Sequence, residues 1–268
     1  MSFSPEWLAL REPADAAARA ADLLDPVRER LAGVERPVIR DLGCGTGSMA
    51  RWLAPLLDGP QHWVLYDQDP ALLDRATESI ATASLPAPVT ASAVQADVTA
   101  LTAADLAGAD LITTSALLDL LTADEVDRLV AACVEAGCPA LLTLSVTGRV
   151  DLDPAEDLDA DLAAAFNAHQ RRSTGGRRLL GPDAVEATAG AFGKLSVSVR
   201  VSPSPWRLGS ATGALTAEWL RGWVGAACEQ EPALVGPSKG YLERRLDAIA
   251  AGELGVLVHH SDLLADPE

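Results

Sequence analysis

The residues with the clearest chemical potential form the run Asp41-Leu42-Gly43-Cys44-Gly45-Thr46-Gly47, which follows an apolar stretch and directly precedes a helical one. Glycines at 43, 45 and 47 let the backbone turn sharply and let a ligand approach without interference from a Cβ. Two ligand families use such a loop, dinucleotides and adenosylmethionine. A dinucleotide loop is spaced G-x-G-x-x-G, so that a pyrophosphate rests on the helix N-terminus. Here Ser48 takes the place of that third glycine, and the glycine itself falls one residue early. Asp41 adds a carboxylate that sits badly beside a pyrophosphate and well beside an ammonium group. The loop favours adenosylmethionine.

Two further carboxylates end later apolar runs. Asp67 closes HWVLYD (62–67), where one carboxylate can accept hydrogen bonds from both ribose hydroxyls. Asp97 closes ASAVQAD (91–97). Three acidic residues thus end three successive strands, at the edge where parallel sheets take ligands. Asp69 reads instead as the N-cap of a helix opened by Pro70.

Asp41 to Gly47 matches D/E-x-G-x-G-x-G at every fixed position, and on these residues the chain resembles the class I S-adenosylmethionine-dependent methyltransferase family. The run DQDPALLDRA is similar to that family's D-x-S/D-P-x-x-L stretch. The resemblance is strongest over residues 36 to 147 and looser in the N-terminal helix and the later strands. It implies a doubly wound, mostly parallel, seven-stranded α/β sheet of the Rossmann-like methyltransferase kind, with S-adenosyl-L-methionine as cofactor. It also implies cofactor contacts from Asp41, Gly43, Cys44, Gly45 and Gly47, and from Asp67 with Gln68 at the ribose. Asp97 and the backbone amide of Val98 are implied at the adenine, and Ser115 at the methionine end. Arg19 is placed to reach the cofactor carboxylate if the N-terminal helix folds over the site. At ADLITTSALLDLL the chain departs from amino-directed nucleic-acid methylators, which carry N/D-P-P-Y/F there.

Strand and helix patterns alternate around these residues. A helical segment from Pro5 to Leu31, divided at Pro13, precedes apolar strands at 38–42, 62–67, 91–97, 109–115 and 139–146. These strands read as buried on both faces. Thr122 and Glu125 make a capping box for the helix that Gly137 ends. After residue 146 the rhythm changes to an acidic turn, an inserted helix, a flexible STGGRR loop and a helix at 182–192. Strands at 194–202 and 254–261 flank two more helical stretches. The expected organisation is a helical cap (1–35) and a Rossmann-like domain (36–268), with a lid insertion at about 152–180 and a helical insertion at about 206–252.

Methyl transfer from a sulfonium needs alignment more than covalent help, with a base only where the acceptor must lose a proton. His169 in AFNAHQRR is the candidate base, flanked by Asn167, Gln170 and Arg171. His259 and His260 point to opposite faces of a strand and do not make a metal pair. Cys44, Cys133, Cys138 and Cys228 form no CxxC, and no metal constellation is expected. Trp219 and Trp223, four apart, share a helix face that reads as core. A formal net charge of −17 argues against nucleic-acid and anionic-membrane partners. The N-terminal stretch lacks the pattern of a signal peptide, and a cytoplasmic location is expected. These features predict a methyltransferase acting on a small-molecule acceptor. The alternatives are a catalytically silent adenosylmethionine-binding protein or an NAD(P)-dependent oxidoreductase.

Overall fold

The computed structural model describes residues 4–267; residues 1–3 of the N-terminal segment and Glu268 lie outside it. Ser4 opens α1 (Pro5–Ala18) by accepting from the Trp7 amide at 3.2 Å. Pro13 does not divide this helix, contrary to the sequence expectation. Pro13 and Ala9, whose carbonyl loses its partner, both face solvent, so water can replace the missing bond. The chain instead turns at Arg19, and α2 (Leu24–Leu31) buries Leu24, Val27 and Leu31.

Five parallel strands follow, each but the last leading into a helix that returns over the sheet. They are β1 (Val38–Leu42), β2 (Gln61–Asp67), β3 (Val89–Gln95), β4 (Leu111–Ser115) and β5 (Ala140–Asp153). Between them lie α3 (Ser48–Leu53), α4 (Pro70–Thr82), the short α5 (Ala103–Leu106) and α6 (Ala123–Glu135). Side chains alternate across the sheet. Trp63 and Leu65 pack with the α2, α3 and α4 side, while Val64 and Tyr66 pack with the α6 side. Covering both faces is what leaves no residue of β1, β2 or β4 exposed. The exception is β3: as the edge strand it has one neighbour, and most of its residues are exposed.

β5 runs far beyond the predicted 146, through the acidic DLD run to Asp153, because its outer half pairs antiparallel with the last strand. Next come α7 (Asp159–Gln170) and the two-residue strands β6 (Ser173–Thr174) and β7 (Arg177–Arg178). The STGGRR segment is therefore a tight hairpin, not a free loop. α8 (Ala184–Lys194) completes the α6 face, and β8 (Ser198–Pro203), β9 (Trp206–Leu208), α9 (Gly213–Gln230), α10 (Val235–Ala251) and β10 (Gly255–Asp266) follow. The sheet order is β3-β2-β1-β4-β5-β10-β8, with β9 paired to the outer part of β10. This is the predicted seven-stranded doubly wound sheet plus one short strand. α7, α9 and α10 share a third core around Trp206, Leu215, Trp223 and Tyr241, which accounts for the Trp219–Trp223 face. No described helix is long and apolar enough to cross a membrane.

One buried carboxylate joins the N-terminal segment to the sheet. Asp262 on β10, 1% exposed, accepts from the Ala20 amide (2.8 Å), the Leu144 amide (2.7 Å) and the Ser204 hydroxyl (2.5 Å). Leu144 adopts φ 57 there, a conformation that a non-glycine residue holds only under tertiary constraint. Asp262→Ala strands three donors, and each orphaned buried donor costs about 1–3 kcal/mol. Urea unfolding is expected to show a loss of about 3 kcal/mol or more, and a loss below about 1 kcal/mol would contradict this role.

Candidate active site

A cavity of about 440 Å³ opens at the carboxyl ends of β1 to β4. Its floor is the turn after β1, where Gly43, Gly45 and Gly47 take φ values of 68, 54 and 84. All three lie in the left-handed region that favours glycine. Space adds a second constraint at Gly47, where a Cβ would stand 3.3 Å from Ala76 of α4. One at Gly45 would stand 3.3 Å from the Leu8 side chain of α1. The glycines therefore serve both the turn and the close approach of α1 and α4.

The strand-end carboxylates are each tied into their own loops. Asp67 accepts the Gly45 amide through Oδ2 (2.9 Å) and the Asp69 amide through Oδ1 (3.0 Å). It thus locks the glycine turn to the end of β2, an internal role the motif did not announce. Asp69 accepts from the Ala71 amide at 2.9 Å, as expected of the α4 N-cap. Asp97 accepts the Thr99 amide (2.9 Å) and hydroxyl (2.7 Å), so it caps the turn through Val98. Gln68, Asp97, Val98, Cys44 and Ser115 all line the cavity together with the glycine loop. Burial pushes the Cys44 thiol far up, so it remains a neutral wall.

The unusual electrostatics lie at the other end. Asp41 is 1% exposed; Oδ1 accepts from the Thr113 hydroxyl at 2.9 Å, and Oδ2 has no partner. Burial pushes its carboxyl up to about 7, against the pull of Thr113 and Arg19. Arg19, turned inward where α1 ends, is 4% exposed and donates through Nη2 to Ser115 Oγ at 3.1 Å. Its Nε and Nη1 have no partner. The guanidinium lies 5.0 Å over the Trp52 ring, and burial lowers its pKa against the attraction of Asp15, Asp262 and Asp41. Two buried opposite charges with unmet hydrogen-bonding capacity complement a ligand carrying both a carboxylate and an ammonium. Asp41 lines the cavity, whereas Arg19 does not and meets the lining through Ser115; these acidic and basic groups fit the amino-acid end of adenosylmethionine.

Three residues of α1 at this cavity were not foreseen. Leu8, Arg11 and Asp15 of α1 line the cavity. Arg11 donates to Asp15 twice (2.9 and 3.2 Å) and stacks 4.9 Å over Trp206, whose Nε1 also donates to Asp15 at 2.9 Å. Only the i, i+4 spacing of Arg11 and Asp15 hinted at this in the sequence. On the opposite side Glu125 and Arg177 line the cavity as an ion pair.

His169 stands apart. α7 packs against α9, and this docking carries the imidazole away from the cavity. Its Nε2 pairs with Glu229 at 3.1 Å, and its Nδ1 faces Arg172 Nη1 at 3.0 Å. The candidate base is therefore corrected to a partly buried contact within the helical module. Among the described residues no group of three His, Cys, Asp or Glu side chains is placed to hold a metal ion.

Residues 39–139 match the family model described as a methyltransferase domain. No curated protein sequence matches the chain. Among solved structures the chain is similar to the cyclopropane synthase MmaA2 from Mycobacterium tuberculosis. That likeness has 15% identity, covers 98% of this chain and 95% of that one, and has a TM-score of 0.52. It is also similar to the mycolic acid cyclopropane synthase CmaA1 complexed with SAH and CTAB, at 15% identity over 98% and 94% of the two chains, TM-score 0.52. At these identities the likeness is one of fold. The family match falls on the half of the sheet that bears the glycine turn and its ring of carboxylates, so residues 39–139, with the site they carry, match a methyltransferase domain.

Proposed function

We propose that the protein methylates a small-molecule acceptor inside this cavity, with Arg19 and Asp41 holding the amino-acid end of the cofactor. The observation that carries the reading is the buried pair with unpartnered atoms, Arg19 Nε and Nη1 and Asp41 Oδ2. Leaving such groups unmet is costly, and a zwitterion satisfies both. In this reading the glycine turn admits the cofactor backbone, Asp67 with Gln68 takes the ribose, and Asp97 with the Val98 amide takes the adenine. Asp67 already accepts two amides, and its remaining lone pairs are available to hydroxyls. Ser115 joins the two ends, since it lines the cavity and accepts from Arg19.

When bound, the cofactor supplies a methyl group made electrophilic by its sulfonium. What this chain contributes is alignment and exclusion of water. Leu8, Leu117 and Leu120 give the acceptor side of the cavity an apolar wall, and Arg11 stands at its edge. No histidine lines the cavity among the described residues, and the groups there that could take a proton are carboxylates. The strong negative charge of the chain supports a small molecule over a nucleic acid. The proposed organisation is a cap at 1–35 over a Rossmann-like domain, with insertions at about 152–180 and 206–252.

Incubation with methyl-labelled adenosylmethionine and pools of small molecules, RNA, DNA and protein tests the acceptor class. Label is expected in the small-molecule fraction alone; label confined to a polymer would overturn the proposal.

A second test uses pH. Asp41, pushed up to about 7 by burial, is partly protonated in the ligand-free protein at neutral pH. Its raised value favours the folded state below the unfolded carboxylate range, and that contribution is lost as pH rises through about 7. An ammonium partner selects the ionised form, so binding must release the proton. Calorimetry of adenosylhomocysteine binding is expected to show affinity rising from about pH 6 to 8 with proton release, and Asp41→Asn should flatten the profile. An unchanged slope in the variant would show that Asp41 does not meet the ligand.

A further inference from the structure

The segment after α7 is fastened to the start of α6 at several points. Arg177 on β7 donates from Nε to Glu125 Oε1 (2.9 Å) and from Nη2 to Glu125 Oε2 (2.6 Å). Nη2 also reaches the Leu120 carbonyl at 3.2 Å, and the Leu180 amide donates to the Leu121 carbonyl at 2.8 Å. Glu125 is 8% exposed, and its Oε2 accepts the Thr122 amide at 2.8 Å as part of the α6 capping box. One carboxylate thus caps a helix and anchors a strap. The turn that ends the strap is also fixed: at Gly181 (φ 53) a Cβ would fall 2.8 Å from Gln170 Cβ.

This strap belongs to one end of the cavity. Arg177, Leu179 and Glu125 line it alongside Asp97, Val98 and Thr99. The Asp97 carboxylate acts electrostatically on the Arg177 cation, and the hydrogen bonds from Arg177 hold Glu125 below the usual carboxylate range. A bidentate arginine–carboxylate pair fixes both partners in one plane, which a lysine does not reproduce. Glu125 is nearly out of water while Arg177 is half exposed, so the geometry of the bidentate pair matters more here than its bare charge attraction.

We propose that Glu125 and Arg177 form a clasp that holds Leu179 and the strap over Asp97 and Val98, and so sets how fast the nucleoside end of the cofactor leaves. The inference rests on the reading that the nucleoside lies between Asp67 and Asp97. Both residues are positioning residues, acting through the wall they hold.

The test is the release rate of adenosylhomocysteine from the full chain, measured by stopped-flow chase. Glu125→Gln keeps a side-chain oxygen for the capping box, and Arg177→Met keeps an apolar stem. Each is expected to release the ligand about tenfold faster, with the double variant no faster than either single one, because affinity differences of this kind appear in the off-rate. Methylthioadenosine, which lacks the amino-acid end, should weaken by the same factor. A merely structural pair would lower the melting temperature and leave the off-rate alone. Release within about twofold of the parent in both single variants, or effects that multiply in the double variant, would overturn the clasp. If the parent binds no methylthioadenosine, or if Asp67→Ala binds adenosylhomocysteine as the parent does, the nucleoside assignment itself fails.

Discussion

A carboxylate and a guanidinium held out of water, each with hydrogen-bonding atoms left unmet, set the terms for this site. Asp41 ends up there because β1 is a central strand, flanked by β2 and β4, and its last residues run under the cavity. Arg19 is there because α1 stops where its chain turns inward. Burying either charge alone costs several kcal/mol, and their mutual attraction offsets this only partly while atoms remain unpartnered. The protein tolerates the arrangement because rigid surroundings hold it, and a ligand with both charges completes it.

Those surroundings form a connected set. Asp262 fixes the Ala20 amide immediately after Arg19, so the turn that aims the guanidinium is tied to β10. Asp15, one turn earlier, is locked by Arg11 and Trp206. Trp206 in turn belongs to the core of the α7–α9–α10 module. The cap over the site is thereby anchored by the same late elements that look, in sequence order, furthest from it. Asp67 performs the equivalent service on the other side by clamping the glycine turn to β2.

What was legible in the sequence was whatever local physics dictates. The three left-handed glycines, the Asp69 cap, the Thr122–Glu125 box and the apolar strands all follow from rules acting over a few residues. Cofactor-side candidates were legible for the same reason, since strand ends and the loop between them are adjacent by topology. The misread features depend on long-range packing. Pro13 is tolerated because its turn faces water, and β5 extends through an acidic run because β10 pairs with it. His169 has the right chemistry on a helix that docks elsewhere. Arg177 was visible only as part of the STGGRR loop, because its partner Glu125 lies far away in sequence and already had a local task. Arg11 and Asp15 were hidden likewise, their meaning supplied by Trp206.

The central claim, that Arg19 and Asp41 complete each other through a shared zwitterionic ligand, is tested most directly by a crystal structure of the chain with adenosylhomocysteine. The account predicts the ligand carboxylate within hydrogen-bond distance of Arg19 Nε or Nη1 and its amine on Asp41 Oδ2. A complex in which the amino-acid end lies elsewhere, with those atoms still unpaired, would contradict it.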